Sequence, residues 1–135
     1  MLRHDGVVPL IPGIDLVAAD EVREALEMHG EQYLRRVFTP REIEDCGGVE
    51  RPDPAALAER FAAKEAAVKV LRPDGEAIPM TDVEVHTTPL GRVELVLNGA
   101  AAALAKDRQL GPLSITISRE GNLAAAVAVA GPEQP

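Results

Sequence analysis

Two acidic residues lie in otherwise apolar segments of the chain. Asp15 lies within Gly13-Ile-Asp-Leu-Val17, and Glu65 lies in an alanine-rich segment, one helical turn before Lys69. A carboxylate inside apolar structure is costly unless it is paired or bound to a metal. Two hard carboxylates with open coordination suit Mg²⁺, which keeps waters and phosphate oxygens as its other ligands. Asp15 has a second interpretation, because it could end a strand and cap the next helix.

The segment from Asp53 to Leu71 predicts the longest helix, which must position Glu65. Asp53 is a good N-cap, proline follows it, and the helix interior has no glycine or further proline. Winding at about 100° per residue gives a core-facing stripe, which comprises Leu57, Phe61, Lys64, Val68 and Leu71. The stripe beside it comprises Ala58, Ala62, Glu65, Lys69 and Arg72. Its two alanines predict open space next to the carboxylate and the amine.

The whole pattern predicts a single α+β domain over residues 1–135, with loose termini at 1–6 and 131–135. Only hairpin-length loops separate the late strands, so we expect a mainly antiparallel sheet packed against one long and several short helices. The predicted strands are 7–17, 81–87, 92–98, 113–118 and 123–130, and the shorter helices are 20–29, 31–37, 39–46 and 99–109. The last strand is apolar on both faces, which places it centrally in a sheet or at a subunit boundary.

Alternation within the strands assigns side chains to faces. In the first strand Ile14 and Leu16 share one face, and Asp15 and Val17 share the other. In the hairpin His86 is expected on the exposed face. A metal role for histidine is not supported, because no partner His or Cys lies at ligand spacing.

Composition excludes several classes of function. A formal net charge of −8 with one Tyr, two Phe and no Trp argues against a nucleic-acid-binding surface. The single Cys46 cannot pair within the chain, which favours a reducing, cytoplasmic location. The apolar run at 7–17 is too short to span a membrane, and it contains prolines.

No P-loop or Rossmann glycine motif occurs in the sequence, and Ser114 and Ser118 lack a recognisable acid–His arrangement. Clustered arginines form either solvated faces or an anion-binding group; they are Arg35, Arg36, Arg41, Arg51, Arg60 and Arg72.

Four segments together resemble the holo-acyl-carrier-protein synthase group of 4′-phosphopantetheinyl transferases. They are Gly13-Ile-Asp-Leu-Val17, Arg36-Val-Phe-Thr-Pro-Arg-Glu42, Arg60-Phe-Ala-Ala-Lys-Glu-Ala-Ala-Val-Lys69 and Ser114-Ile-Thr-Ile-Ser-Arg-Glu-Gly-Asn-Leu-Ala-Ala-Ala126. The segments follow the family's order and spacing over nearly the whole chain. The combination of the first and third segments is a specific signature.

The resemblance implies Mg²⁺-dependent transfer of 4′-phosphopantetheine from coenzyme A to a serine of an apo acyl carrier protein or carrier domain, as in fatty acid or polyketide biosynthesis. Adenosine 3′,5′-bisphosphate would be released. By position Asp15 and Glu65 match the family's metal ligands, and Lys69 matches a phosphate-contacting lysine. Glu65 is also the first candidate to accept the serine proton. Arg60 and Lys64 match basic residues of the same helix that face the nucleotide region, and Arg119, which stands where the family usually has histidine, could still contact a phosphate. Short members of the family are homotrimers with the site between subunits.

Three departures from the family pattern keep other functions open. Ser118-Arg119-Glu120 replaces the usual Ser-His motif, Arg72-Pro-Asp-Gly75 replaces a Gly-rich loop, and Glu21 stands where many members have arginine. One alternative is a degenerate module that binds coenzyme A or a carrier protein without transfer. Another is a structural trimeric domain whose acids are merely paired with lysines. The two intact carboxylates and the lysine favour the active transferase.

Overall fold

A computed structural model describes residues 9–71 and 74–134. The predicted α+β class and order of elements are confirmed. The elements are β1 (Ile11–Ala18), α1 (Ala19–His29), α2 (Glu31–Val37), α3 (Pro40–Asp45), α4 (Pro54–Leu71), β2 (Val83–Thr87), β3 (Val93–Leu97), α5 (Gly99–Asp107), β4 (Leu110–Glu120) and β5 (Leu123–Pro132). The predicted loose residues 1–6, the start of the first strand and Arg72 lie outside the described residues. Within the described ranges, no helix is both long and apolar enough to cross a membrane.

The strands form two separate antiparallel sheets. One has three strands in the order β1-β5-β4, and the other is the β2–β3 hairpin. The small, apolar strand β5 is therefore central, which is one of the two placements predicted for it. It also extends further than expected, because Pro132 pairs with Leu110 and the Glu133 N–H donates to the Gln109 carbonyl at 2.8 Å. The prediction of a loose terminus from residue 131 is thus wrong for the first part of that segment.

Helix α4 begins and packs largely as its sequence indicates. The Asp53 carboxylate accepts the backbone N–H of Ala55 at 3.0 Å, which confirms the N-cap. The expectation of open space beside Ala58 and Ala62 is wrong, because both alanines are buried within the chain. Helix α4 packs on β1 and β5, and the inward side chains of β5 are alanines as well, from Ala124 to Ala130. Small residues on both surfaces let the helix approach the sheet closely.

Gly13 marks the closest approach of β1 to α4. A Cβ atom added at Gly13 would lie 2.2 Å from the carbonyl oxygen of Ala66, which is far inside van der Waals contact. It would also lie 3.2 Å from the Cβ of Lys69. Glycine is therefore required here, and its absence of a side chain brings the backbone around Asp15 against the middle of α4.

The outer face of the three-stranded sheet is apolar and exposed on the β1 side. Ile14 is 60% exposed and Leu16 is 63% exposed, while Gly13 and Val17 on the inner face are buried. The predicted alternation within β1 is thus confirmed. Two large, exposed apolar side chains that are neighbours on one face of a strand mark a surface suited to association with another protein surface.

The hairpin differs from its prediction at two points. Residues Met80–Asp82 form a turn of 3₁₀ helix, so β2 begins at Val83 instead of residue 81. His86 is partly buried and contacts the Glu84 carboxylate, whereas the strand pattern predicted an exposed side chain.

Candidate active site

Asp15 and Lys69 form the centre of the candidate site. Asp15 is on the inner face of β1, with its side chain only 19% exposed, and Lys69 is on the last turns of α4 with its side chain 52% exposed. The Lys69 ammonium group donates to the Asp15 carboxylate at 3.0 Å and to the Ile14 carbonyl at 2.8 Å. The contact joins residues that are 54 positions apart in the chain. It depends on the close approach at Gly13, which brings the two backbones together.

The strand register places Asp15 opposite the middle of α4. Across the inner face of the sheet, Val17, Ala124 and Arg119 form one row, and Asp15, Ala126 and Ile117 form the next. The first row contacts the N-terminal half of α4 through Arg119. The row beyond Asp15, which contains Gly13, contacts α4 at Ala66. The Asp15 row therefore lies between these two positions along the helix.

Glu65 is on α4, next in sequence to a residue whose backbone contacts β1. It precedes Ala66 directly and lies one helical turn before Lys69, so the side chains of Glu65 and Lys69 are neighbours along the helix surface. Glu65 is partly buried. The fold thus brings Asp15 and Lys69 together at the junction of β1 and α4, and Glu65 lies one helical turn from Lys69 along α4.

Arg119 borders the same face of the sheet. Its guanidinium group lies 3.5 Å from the Glu59 carboxylate of α4, with the Arg119 side chain 47% exposed. A surface ion pair of this length contributes little to stability, so the guanidinium group can exchange Glu59 for another anion.

Lys64 does not reach this region, which differs from the expectation that it faces a nucleotide. Its side chain is 0% exposed, and its ammonium group lies 2.6 Å from the Glu42 carboxylate. It also donates to the Val83 carbonyl at 2.6 Å, and it lies 5.7 Å from the centre of the Phe38 ring. Burial lowers the pKa of Lys64, and the charge of Glu42 opposes this effect. The core assignment from the helical pattern was right, and Lys64 is a buried structural cation.

Arg60 lies one turn before Lys64, on the side of α4 that faces the hairpin. Its guanidinium group contacts the Thr87 hydroxyl at 3.4 Å. Its Nε atom is buried, with no hydrogen-bond partner among the described residues. Arg60 therefore leaves one buried guanidinium N–H unsatisfied, on a different side of α4 from the Asp15–Lys69 contact.

Two acids that pair with basic residues of the candidate site were not apparent from the sequence. Glu59 pairs with Arg119, and no local pattern indicated this contact between α4 and β4. Glu42 was identified only as part of the capping box, which the structure confirms. A lysine in a core stripe does signal that a buried acid must be nearby, but that acid lies 22 positions away in the sequence.

The donor set at the junction fits a hard divalent cation. Asp15 supplies carboxylate oxygens, and the Lys69 ammonium shows that this position already attracts a positive charge. Glu65 is a second carboxylate, one helical turn before Lys69 on α4. Over residues 9–71 and 74–134, no group of three or more His, Cys, Asp or Glu side chains is placed to hold a metal. Two carboxylates with a lysine beside them can bind a metal and a phosphate group together.

Comparison with known sequences and structures identifies the family. The family model of the 4′-phosphopantetheinyl transferase superfamily matches residues 12–128. A holo-[acyl-carrier-protein] synthase of Leptospira biflexa is 36% identical over 118 residues, covering 87% of this chain and 92% of its own. The corresponding synthase of Verminephrobacter eiseniae is 40% identical over 121 residues, covering 89% of this chain and 92% of its own.

Solved structures agree with these sequence matches. The coenzyme A complex of the synthase from Chronobacterium ammoniagenes superposes with a TM-score of 0.78 at 26% identity, covering 93% of this chain and 99% of that one. The Helicobacter pylori synthase in complex with coenzyme A gives a TM-score of 0.75 at 25% identity, covering 88% of this chain and 98% of that one. The chain therefore belongs to the 4′-phosphopantetheinyl transferase superfamily, among the holo-[acyl-carrier-protein] synthases.

Proposed function

We propose that this protein transfers 4′-phosphopantetheine from coenzyme A to a serine of an apo acyl carrier protein, with Mg²⁺ at the junction of β1 and α4. The observation that carries the proposal is the contact of Asp15 with Lys69, one helical turn from Glu65, in a member of this superfamily. Relatives crystallised with coenzyme A support coenzyme A as the donor. A carrier protein as acceptor follows from the activity for which the relatives are named.

Each residue of the site has a role that its position supports. Asp15 and Glu65 would hold Mg²⁺, which when bound neutralises charge on the diphosphate oxygens. Lys69 binds a phosphate oxygen as a point charge. Arg119 and Arg60 offer guanidinium donors to the other phosphates of the nucleotide from the two sides of α4. Lys64 is left out of this set because its ammonium group is enclosed.

The reaction needs positioning and charge neutralisation more than covalent help from the protein. The serine oxygen of the carrier forms a bond to the phosphorus that bears pantetheine, while the bond from that phosphorus to the bridging oxygen breaks. Adenosine 3′,5′-bisphosphate leaves with the bridging oxygen. The serine proton passes to a carboxylate, for which Glu65 is the first candidate. Arg119 holds its proton at neutral pH, so it serves as a binding group only.

The exposed apolar face of β1 supports self-association. Ile14 and Leu16 project from the outer face of β1, on the opposite side of the strand from Asp15. We therefore include a homotrimer in the proposal, with subunits meeting at this face. The free, buried Cys46 fits a reducing, cytoplasmic location.

A mass measurement tests the proposed reaction. The protein is incubated with coenzyme A, Mg²⁺ and a panel of apo carrier proteins of the fatty-acid, polyketide and peptide-synthetase types. We expect one carrier to gain about 340 Da, the mass of phosphopantetheine joined to serine by phosphoryl transfer. If coenzyme A binds but no carrier gains mass, the protein is a binding module and the proposed reaction is wrong.

A further inference from the structure

The junction of β3 and α5 carries the dipeptide Asn98-Gly99, to which the proposed reaction assigns no role. Asn98 is exposed and is the N-cap residue of α5, but its side chain makes no capping hydrogen bond. Over residues 9–71 and 74–134, its side-chain amide makes no other hydrogen bond either. Asparagine is a chemically labile residue, and here its amide group is both accessible and unbonded.

Asp82 explains why the Asn98 amide is unbonded. The Asp82 carboxylate accepts the backbone N–H of Ala100 at 2.8 Å, which is a bond that an N-cap side chain usually makes. The Asp82 carbonyl also accepts the backbone N–H of Asn98 at 2.8 Å. The turn of 3₁₀ helix before β2 therefore caps α5, and Asn98 loses the contact that would hold its amide in place.

Gly99 leaves the neighbouring backbone nitrogen unshielded. Its φ angle is +51°, which favours glycine, and a Cβ atom added there would lie 2.8 Å from a carboxylate oxygen of Asp82. Gly99 is the first residue of α5, and the first N–H groups of a helix have no acceptor within it. The fold thus places an unshielded backbone nitrogen directly after an unbonded side-chain amide.

We propose that Asn98 is a site of spontaneous covalent modification, in which it loses its side-chain nitrogen through a cyclic imide formed with Gly99. The Gly99 nitrogen forms a bond to the Asn98 Cγ atom, and the bond from Cγ to Nδ2 breaks. The Gly99 proton leaves with Nδ2 as ammonia. Water then adds to one of the two imide carbonyls, which gives aspartate by one opening and isoaspartate by the other. No atom is oxidised or reduced.

The local opening that ring closure requires is small. The Asn98 carbonyl must turn, which breaks its hydrogen bond of 3.1 Å with the Ala102 N–H. This bond belongs to the first turn of α5, and helix ends open at little cost.

Asn122 provides the contrast, as the other asparagine of the chain. Its side chain accepts the backbone N–H of Asp20 at 3.2 Å and donates to the Asp20 carboxylate at 3.3 Å. Leu123 follows it and shields the next backbone nitrogen more than a glycine does. Asn122 should therefore keep its amide group.

Peptide mapping by mass spectrometry tests the inference on the full chain, incubated at mildly alkaline pH. We expect Asn98 to become aspartate and isoaspartate while Asn122 stays unchanged, and the isoaspartate should be labelled by a protein isoaspartate methyltransferase. Because helix ends open at little cost, the rate at Asn98 in the folded protein should lie within about tenfold of the rate in guanidinium chloride.

Two results would overturn the inference. One is a rate at Asn98 in the folded protein that falls further than this below the rate in the unfolded chain. The other is modification of Asn122 as fast as that of Asn98. Asn98→Gln is the matched control, because its longer side chain closes the ring poorly, and it should abolish methyltransferase labelling at this position.

Discussion

Replacing Glu42 with glutamine tests the buried contact that joins α3, α4 and β2. The Glu42 carboxylate and the Lys64 ammonium group are both 0% exposed and lie 2.6 Å apart. Glu42 also accepts the backbone N–H groups of Thr39 and Val85, both at 2.8 Å. Glutamine keeps the shape of the glutamate side chain but loses its charge. Both Glu42 oxygens accept hydrogen bonds, so the NH₂ group of glutamine must point at another hydrogen-bond donor, which is unfavourable. Lys64 would then be a buried ammonium group without its counter-ion.

The expected loss follows from this arrangement. Breaking a buried ion pair by removing one partner costs about 3–5 kcal/mol, which is a large part of the roughly 5–15 kcal/mol that stabilises a domain. We expect Glu42→Gln to lower the free energy of unfolding at neutral pH by this amount, as measured by urea denaturation. Burial lowers the pKa of Lys64 and Glu42 raises it, so the variant should have a lower Lys64 pKa than wild type.

This pKa difference gives the prediction a pH signature. Between the Lys64 pKa of the variant and that of wild type, the folded variant binds fewer protons than the folded wild type, while the unfolded states bind equally. The stability of the variant therefore rises with pH relative to wild type in that window, and its deficit shrinks. Unfolding curves measured at a series of pH values, from neutral pH upward, follow this change.

Two variants control the experiment. Glu44→Gln removes a charge at an exposed position of the same helix and should have little effect. Glu42→Gln with Lys64→Met removes both buried charges, and it should recover more than half of the loss because no ion is left unpaired. The reasoning would be refuted if Glu42→Gln lowered the free energy of unfolding by an amount within about 0.5 kcal/mol of the effect of Glu44→Gln. It would also be refuted if the loss did not shrink as pH rises.

Three further predictions concern other parts of the fold. Gly13→Ala places a Cβ atom 2.2 Å from the Ala66 carbonyl oxygen, so β1 must move away from α4. Both the melting temperature and the rate of transfer should fall, and an unchanged rate would contradict the role of this close approach. Burial raises the pKa of Cys46 from 9.0 to about 11, so between these two pH values only the unfolded state loses the thiol proton. The free energy of unfolding should therefore fall as pH rises through this range, and in Cys46→Ala it should fall less steeply. Ile14→Glu with Leu16→Glu should convert the assembly to monomers in analytical ultracentrifugation, and a wild-type protein that is already monomeric would reject the proposed trimer.

Much of the fold could be predicted because local signals and their structural consequences agree. Asp53 and its following proline specify the start of α4, and the capping box at Thr39 specifies α3. Alternation in β1 was sufficient to assign Ile14 and Asp15 to opposite faces. The small apolar residues of the last strand predicted its central place, since a central strand with a covered face needs apolar side chains on both sides.

The parts that could not be predicted are contacts between residues distant in sequence. The alanines of α4 predicted open space, but Ala58 and Ala62 are buried within the chain, where α4 packs on elements that are distant in sequence. Lys64 belonged to the core stripe by pattern, but only the tertiary structure shows that Glu42 neutralises it. Asp15 and Lys69 were both identified as candidates, while their direct contact depends on the close approach at Gly13.

The central claim is that the junction of β1 and α4 performs phosphopantetheinyl transfer. It is tested most directly by the intact mass of an apo carrier protein after reaction with wild type, Glu65→Gln and the exposed control Glu94→Gln, in the presence of coenzyme A and Mg²⁺. The account predicts a gain of about 340 Da with wild type and Glu94→Gln, and no gain with Glu65→Gln or when EDTA removes the metal. Transfer by Glu65→Gln at the wild-type rate would contradict it.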